Sequence, residues 1–138
     1  MIVADASVIL KWVLMDESDR EEALALRKRH LAGEDPIAAP DLLLYEVANV
    51  LPLKREDAES ASEGFQEICS AGLRFHEFGF QEFRRAMGLA LQHRVTTYDA
   101  SYLVLAQALH CRFVTADEKM LARLKGVPHV IHLTNLRR

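Results

Sequence analysis

Four acidic residues in this chain of 138 stand where a side chain can do chemistry: Asp5, Glu46, Asp99 and Asp117. Asp5 follows the apolar run Ile2-Val3-Ala4 at once, and Asp117 stands two residues beyond Arg112-Phe113-Val114-Thr115. Both runs have the length and composition of buried strands. Glu46 falls about one turn into the apolar segment 42–51, with Leu43, Val47 and Val50 as its neighbours at i−3, i+1 and i+4. Asp99 lies in the first turn of the strongest helical pattern, 97–109. Each acid alone has an ordinary explanation. An acid at a helix N-terminus contributes about 0.3–1 kcal/mol, Asp is a preferred N-cap, and a Glu at a helix edge reaches water. In open parallel sheets, however, ligand crevices lie outside the carboxyl ends of strands, where helix N-termini also converge. One folding of such a sheet gathers all four carboxylates into a single cavity.

That cluster would need counter-charge. Two unit charges ~4 Å apart repel by about 4 kcal/mol at an effective dielectric of ~20. Either some carboxyls protonate or divalent cations bind. Hard oxygen donors without a His or Cys framework select Mg²⁺ or Mn²⁺ over Zn²⁺. Asp5 and Asp99 are the expected metal ligands, with Glu46 and Asp117 as further ligands or water-positioning groups. The chemistry such a set supports is in-line displacement at phosphorus, hence phosphodiester hydrolysis. Ser7 and Thr115 are hydroxyls beside the same strand ends and could hydrogen-bond a carboxylate or a metal-held water. Local capping by Ser7 and strand propensity at Thr115 explain them equally well. Asn49, three residues after Glu46, could orient that acid. Arg94, Arg112 and Lys119 are candidates for phosphate contact, against the plainer reading of solvated surface charges. The six histidines form no HxH or HExxH unit and are assigned no catalytic role.

The elements that must position these groups alternate. Expected strands cover Ile2–Ala4, 36–40, 73–78, 112–115 and 130–133. Expected helices cover 7–15, from a cap at Ser18 or Asp19 to about Leu31, 42–51 behind Asp41, 54–70, 80–93, 97–109 and 118–124. Pro52 should stop the third helix and let the next begin at Lys54. Strands alternating with helices over one chain predict a parallel α/β sheet flanked by helices, as a single domain over residues 1–138.

The composition is that of an ordinary globular protein, half apolar and 27% charged. Its net charge of −3 divides unevenly. Residues 1–69 carry 7 Lys/Arg against 15 Asp/Glu, or −8, and residues 70–138 carry 10 against 5, or +5. The basic half suits a polyanion such as nucleic acid. The acidic half does not, unless metal ions stand between. Arg137-Arg138 reads as a basic tail. Cys69 and Cys111 lack ligand spacing and read as two buried thiols in a reducing cytosol. No basic n-region precedes an apolar core, and no apolar run approaches the ~20 residues of a membrane span. A cytoplasmic protein is expected.

Four motifs in order carry a resemblance. Val3-Ala4-Asp5-Ala6-Ser7-Val8 with Lys11-Trp12, Pro40-Asp41-Leu42 with Glu46-Val47-Ala48-Asn49, Thr97-Tyr98-Asp99-Ala100-Ser101-Tyr102-Leu103, and Phe113-Val114-Thr115-Ala116-Asp117-Glu118-Lys119 resemble the PIN-domain family, and within it the VapC toxins. The resemblance covers nearly the whole chain. It implies an α/β/α sandwich with a central parallel sheet and a Mg²⁺- or Mn²⁺-dependent endoribonuclease, the toxin of a type II toxin–antitoxin pair. Its acidic positions fall on Asp5, Glu46, Asp99 and Asp117, and its hydroxyl positions on Ser7 and Thr115. It further implies a homodimer and a VapB-like antitoxin whose tail enters the groove. Pro52 departs from the family pattern, shortening a projection that helps form the dimer edge and antitoxin groove in similar proteins. A phosphatase of the haloacid-dehalogenase type also starts with an Asp after its first strand, but it needs a second Asp where Ser7 stands. A lapsed PIN-fold module binding RNA or protein is the non-enzymatic alternative; a lapsed site has no electrostatic reason to keep four mutually repelling acids.

Overall fold

A computed structural model describes residues 1–136. Five short parallel strands, β1 (Ile2–Ala4), β2 (Ile37–Pro40), β3 (Arg74–His76), β4 (Arg112–Thr115) and β5 (Val130–His132), form one sheet in the order β3-β2-β1-β4-β5. Parallel pairing cannot be closed by a hairpin, so every connection is a helical crossover. From β1 the chain runs through α1 (Ala6–Ile9), a 3₁₀ turn over Leu10–Trp12 and α2 (Arg20–Leu31) to β2. Helices α3 (Leu42–Lys54) and α4 (Ala58–Cys69) then lead to the edge strand β3. Helices α5 (Phe80–His93) and α6 (Thr97–Ala108) carry it back to the far side of β1, and α7 (Glu118–Arg123) joins β4 to β5. The helices flank the central sheet as the alternation predicts, in the α/β/α arrangement the resemblance implies.

The strand order puts a topological switch point between β1 and β4, because successive crossovers leave β1 in opposite directions. Val3 lies in register with Ala38 on one side and Phe113 on the other. Ile2, Val3 and Ala4 are buried on both faces, which explains an unbroken apolar run instead of alternation. Beyond the sheet the core takes in Ile9, Leu26, Leu43, Leu51 and Leu103. Tyr102 of α6 stacks on Phe113 of β4 with ring centroids 5.9 Å apart and planes 8° from parallel. His30 is structural: its Nδ1 accepts the Ile37 N–H at 3.1 Å, so Nε2 carries the proton and donates to the Ala71 carbonyl at 2.8 Å.

Several expected boundaries move. The 7–15 helix is one α-turn that tightens into 3₁₀ after Ile9. Pro52 does not end its helix. Helix α3 continues through it to Lys54, and the Arg55 N–H closes onto the Leu51 carbonyl at 2.9 Å. Pro52 and Ala48 are both exposed, so the Ala48 carbonyl that Pro52 cannot reach is left to water. The next helix starts at Ala58, not Lys54, because the Asp57 carboxylate accepts the Ser60 N–H at 2.7 Å as an N-cap. Cys69 is exposed and Cys111 half-buried, and both are free, which corrects the expectation of two buried thiols. Arg137 and Arg138 lie outside the described residues.

Pro52→Ala should stabilise the chain. It restores an N–H to the last turns of α3 and removes the ring's clash with the Ala48 carbonyl, set against the stiffness Pro lends the unfolded chain. The expected net gain is about 1 kcal/mol, read as a higher urea midpoint at unchanged slope. A lower midpoint would mean that the helix end depends on the proline.

Candidate active site

Asp5 stands one residue beyond β1, at the carboxyl end of the central strand, and is 6% exposed. Each of its oxygens meets one hydroxyl. Ser7 Oγ donates to Oδ1 at 2.5 Å, and Thr115 Oγ1, from the end of β4, donates to Oδ2 at 2.6 Å. A hydroxyl has one proton. Both protons being committed to Asp5, the 3.3 Å approach of Ser7 Oγ to Thr115 Oγ1 is a contact, not a third bond. The hydroxyls accept in turn: Ser7 from the Ala116 N–H at 2.8 Å and Thr115 from the Asp117 N–H at 3.1 Å. Ser7 and Thr115, residues with bland alternatives in the sequence, therefore form the cradle of Asp5. The β1–β4 pairing makes that cradle possible.

Glu46 is half-buried on α3. Its Oε1 accepts from the phenol of Tyr102 at 2.5 Å. Asn49 is exposed, and among the described residues no hydrogen bond joins it to Glu46. The structure thus gives Glu46 a different partner from the one the sequence suggested. Asp99 sits in the first turn of α6, where its N–H is capped by Thr96 Oγ1 at 3.0 Å. Asp117 is the N-cap of α7, its Oδ1 accepting the Met120 N–H at 3.0 Å. It caps a helix, and its charge also raises the Asp99 carboxyl.

Electrostatics ties the four acids into one chain. Burial pushes the Asp5 carboxyl up to about 7, against the pull of the Ser7 and Thr115 hydroxyls, and the charges of Glu46 and Asp99 raise it further. Burial also raises Glu46, with Asp99 adding to it, while the Tyr102 bond opposes. Asp99 is raised by burial and by Asp117, and lowered by Thr96 and by the charge of Arg123. Burial, then Glu46, pushes the Tyr102 phenol up, so it is a donor throughout the working range.

Tyr102 and Arg123 escaped the sequence reading. Tyr102 carried one signal, its i+3 spacing from Asp99 within an apolar helix. Arg123 had none, since only the β4–α7 turn brings it near Asp99. Arg123 also donates to the Arg94 carbonyl at 2.6 Å. Arg94 is exposed just past the end of α5, and Lys119 is exposed in the first turn of α7, two residues past Asp117. Arg112 is elsewhere. It opens β4 and aligns with Ile2, three residues and so about 10 Å of strand from Thr115. The acids lie at the other end of the sheet.

The donors are hard oxygens, with no Cys or histidine ring among the groups that act on Asp5, Glu46 or Asp99. Among the described residues no three His, Cys, Asp or Glu side chains are already assembled as a cage for a cation. By donor chemistry alone, hard oxygens suit a hard cation such as Mg²⁺ or Mn²⁺ better than a thiophilic one.

The alignment of these features has counterparts in known proteins. The PIN domain model matches residues 2–127, and the chain belongs to the PIN domain family. Within it, the chain is 29% identical over 133 residues to Ribonuclease VapC3 of Pyrobaculum aerophilum, covering 91% of this chain and 96% of the relative. It is 31% identical over 125 residues to VapC ribonuclease Mb0985 of Mycobacterium bovis, covering 87% and 88%. The fold is shared with a chain of a toxin–antitoxin complex from Klebsiella pneumoniae, at TM-score 0.69 and 16% identity over 96% of this chain and 98% of that one.

The raised Asp5 carboxyl makes a signed prediction for metal-free protein. Unfolded, Asp5 titrates near 4; folded, near 7. Between those values the folded state holds the extra proton, so this group's contribution falls as pH rises and levels off above 7. The loss is about 4 kcal/mol at most by linkage. In EDTA, Asp5→Asn should thus be more stable than wild type at pH 8 and nearly equal to it at pH 4, by urea unfolding. A variant weaker than wild type at pH 8 would show that the charged carboxylate stabilises the fold.

Proposed function

We propose that this chain is a metal-dependent endoribonuclease that hydrolyses RNA phosphodiester bonds as the toxin of a type II toxin–antitoxin pair. The observation that carries the reading is the electrostatic chain Asp5–Glu46–Asp99–Asp117 at the carboxyl ends of β1 and β4, held by hydroxyls and, among the described residues, offset by Arg123 at the Asp99 end. The ribonuclease names of the VapC relatives support it.

In this reading Asp5 and Asp99 hold Mg²⁺ or Mn²⁺, with Glu46 and Asp117 as further ligands or water-positioning groups. Bound there, the ion would supply Lewis-acid stabilisation to the phosphorus centre and the leaving oxygen. The chain's own residues do the rest. Ser7 and Thr115 fix both oxygens of Asp5, so its charge does not wander. Burial keeps that charge poorly solvated, so a bound ion would compete with a proton for it. Arg94 and Lys119 meet the RNA backbone; Arg112, at the far end of β4, is no longer assigned to this contact.

The proposed partners are RNA, a VapB-like antitoxin and a second copy of the chain. A toxin–antitoxin complex with the same fold supports the antitoxin. An arginine on its tail would put a cation among the carboxylates in the metal's stead. Phe80, Phe83, Met87 and Leu91 are exposed along one side of α5, and an apolar stripe of this kind supports a protein contact. Among the described residues no helix is long and apolar enough to cross a membrane.

Cleavage of linear and circular RNA by antitoxin-free protein should require Mg²⁺ or Mn²⁺, stop in EDTA and fall by at least about 100-fold in Asp99→Asn. Opening of the circles identifies internal cuts. A folded wild type that cuts nothing with either metal and gains no thermal stability from Mn²⁺ would instead identify a lapsed module.

A further inference from the structure

We infer that Tyr102 is a positioning residue: its phenol fixes the Glu46 carboxylate in a set relation to Asp99, and through it tunes cation binding in the crevice. This rests on the metal-dependent reading above. The Tyr102 Oη–Glu46 Oε1 separation of 2.5 Å lies in the range of hydroxyl bonds to an ionised acceptor. Glu46 comes from α3 and Asp99 from α6, so no local geometry relates them. Tyr102 supplies the relation, being three residues from Asp99 and thus on its face of α6.

The phenol is a stiff support. A Glu side chain loses up to about 1.5–2 kcal/mol of rotamer freedom when fixed in one pose, and few side chains can hold it there. Tyr102 is 1% exposed and its ring lies flat on Phe113, which is fully buried and paired in register with Val3. The hydroxyl is therefore referenced to β1 and β4, the strands that also place Asp5. Among the described residues Oε1 is the Glu46 oxygen with a side-chain donor. Oε2 is left free of one.

A plainer account is that a buried phenol needs some acceptor and Glu46 merely serves. A backbone carbonyl would serve that purpose without the cost of a half-buried charge, so the choice of a carboxylate points to the acid as the group being served. The two accounts differ in what the hydroxyl does for a cation.

The test measures Mn²⁺ affinity by calorimetry without RNA, on wild type, Tyr102→Phe, Glu46→Gln and the double variant. Tyr102→Phe keeps the ring and its stack on Phe113. It should weaken Mn²⁺ binding about 10-fold, the usual scale for a group that orients a ligand. In the Glu46→Gln background the same change should have no further effect, since the phenol acts through that carboxylate. Glu46→Asp, which keeps the charge but withdraws it by one methylene, should also lose affinity and be indifferent to Tyr102→Phe. Wild-type affinity in Tyr102→Phe, or an equal loss in both backgrounds, overturns the inference while leaving the nuclease reading intact. A wild type that takes up no Mn²⁺ overturns the reading beneath it and the inference together, before any substitution is made.

Discussion

Everything in this fold is arranged to keep one carboxylate, Asp5, almost out of water. Two hydroxyls hold it, and bonds to charged groups contribute about 1.5–3 kcal/mol each. Burying a charge costs several kcal/mol even after relaxation, and here the cost wins, since the carboxyl is pushed up to about 7 despite both bonds. Thr115 lies 110 residues along the chain from Asp5, so the cradle exists only if β4 pairs directly with β1. The strand order β3-β2-β1-β4-β5 supplies that neighbour. The central strand both builds the core, with Ile2, Val3 and Ala4 buried, and delivers Asp5 to the switch point.

The other three acids are brought in by elements that need them locally. Asp117 caps α7, and Asp99 occupies the first turn of α6 behind the Thr96 cap. Their local roles contribute a few tenths to about one kcal/mol each, less than the repulsion of closely placed like charges in a shielded crevice. Helix capping therefore explains why acids are tolerated at these positions, not why their charges act on one another. The crevice also has a gradient. Asp5 is nearly sealed, Glu46 and Asp99 are half-buried, and the only cation among the groups that shift these acids is Arg123, at the Asp99 end.

Much of this was legible because it is periodic. Apolar strands followed at once by Asp5 or closely by Asp117 mark carboxyl strand ends, and a parallel sheet brings such ends together. Ser7 and Thr115 could be named but not decided between capping and cradling, because the distinction is made by a β1–β4 pairing that no local pattern encodes. Pro52 misled for a physical reason: it forfeits one i−4 bond, to the exposed Ala48, only two residues from the end of α3, and the helix runs on past it. Arg112 misled because charge was read without direction, and a strand has two ends. Tyr102 is core; its hydroxyl alone belongs to the site, and apolar patterning does not register a single polar atom.

The uneven charge of the chain acquires a meaning from this geometry. Asp5 and Glu46 come from the half carrying −8, while Arg94, Lys119 and Arg123 come from the half carrying +5. Asp5 and Glu46 leave the interior of the crevice acidic, and Arg123 offsets charge on its Asp99 side. A polyanion can be drawn to that side and still be repelled by the interior, so binding and reaction are separate problems, solved by different charges. A cation in the interior would invert the second without touching the first. An arginine inserted from a partner would do the same electrostatic work, yet it carries no open position for water or phosphate. The same desolvated carboxylates would accept either cation.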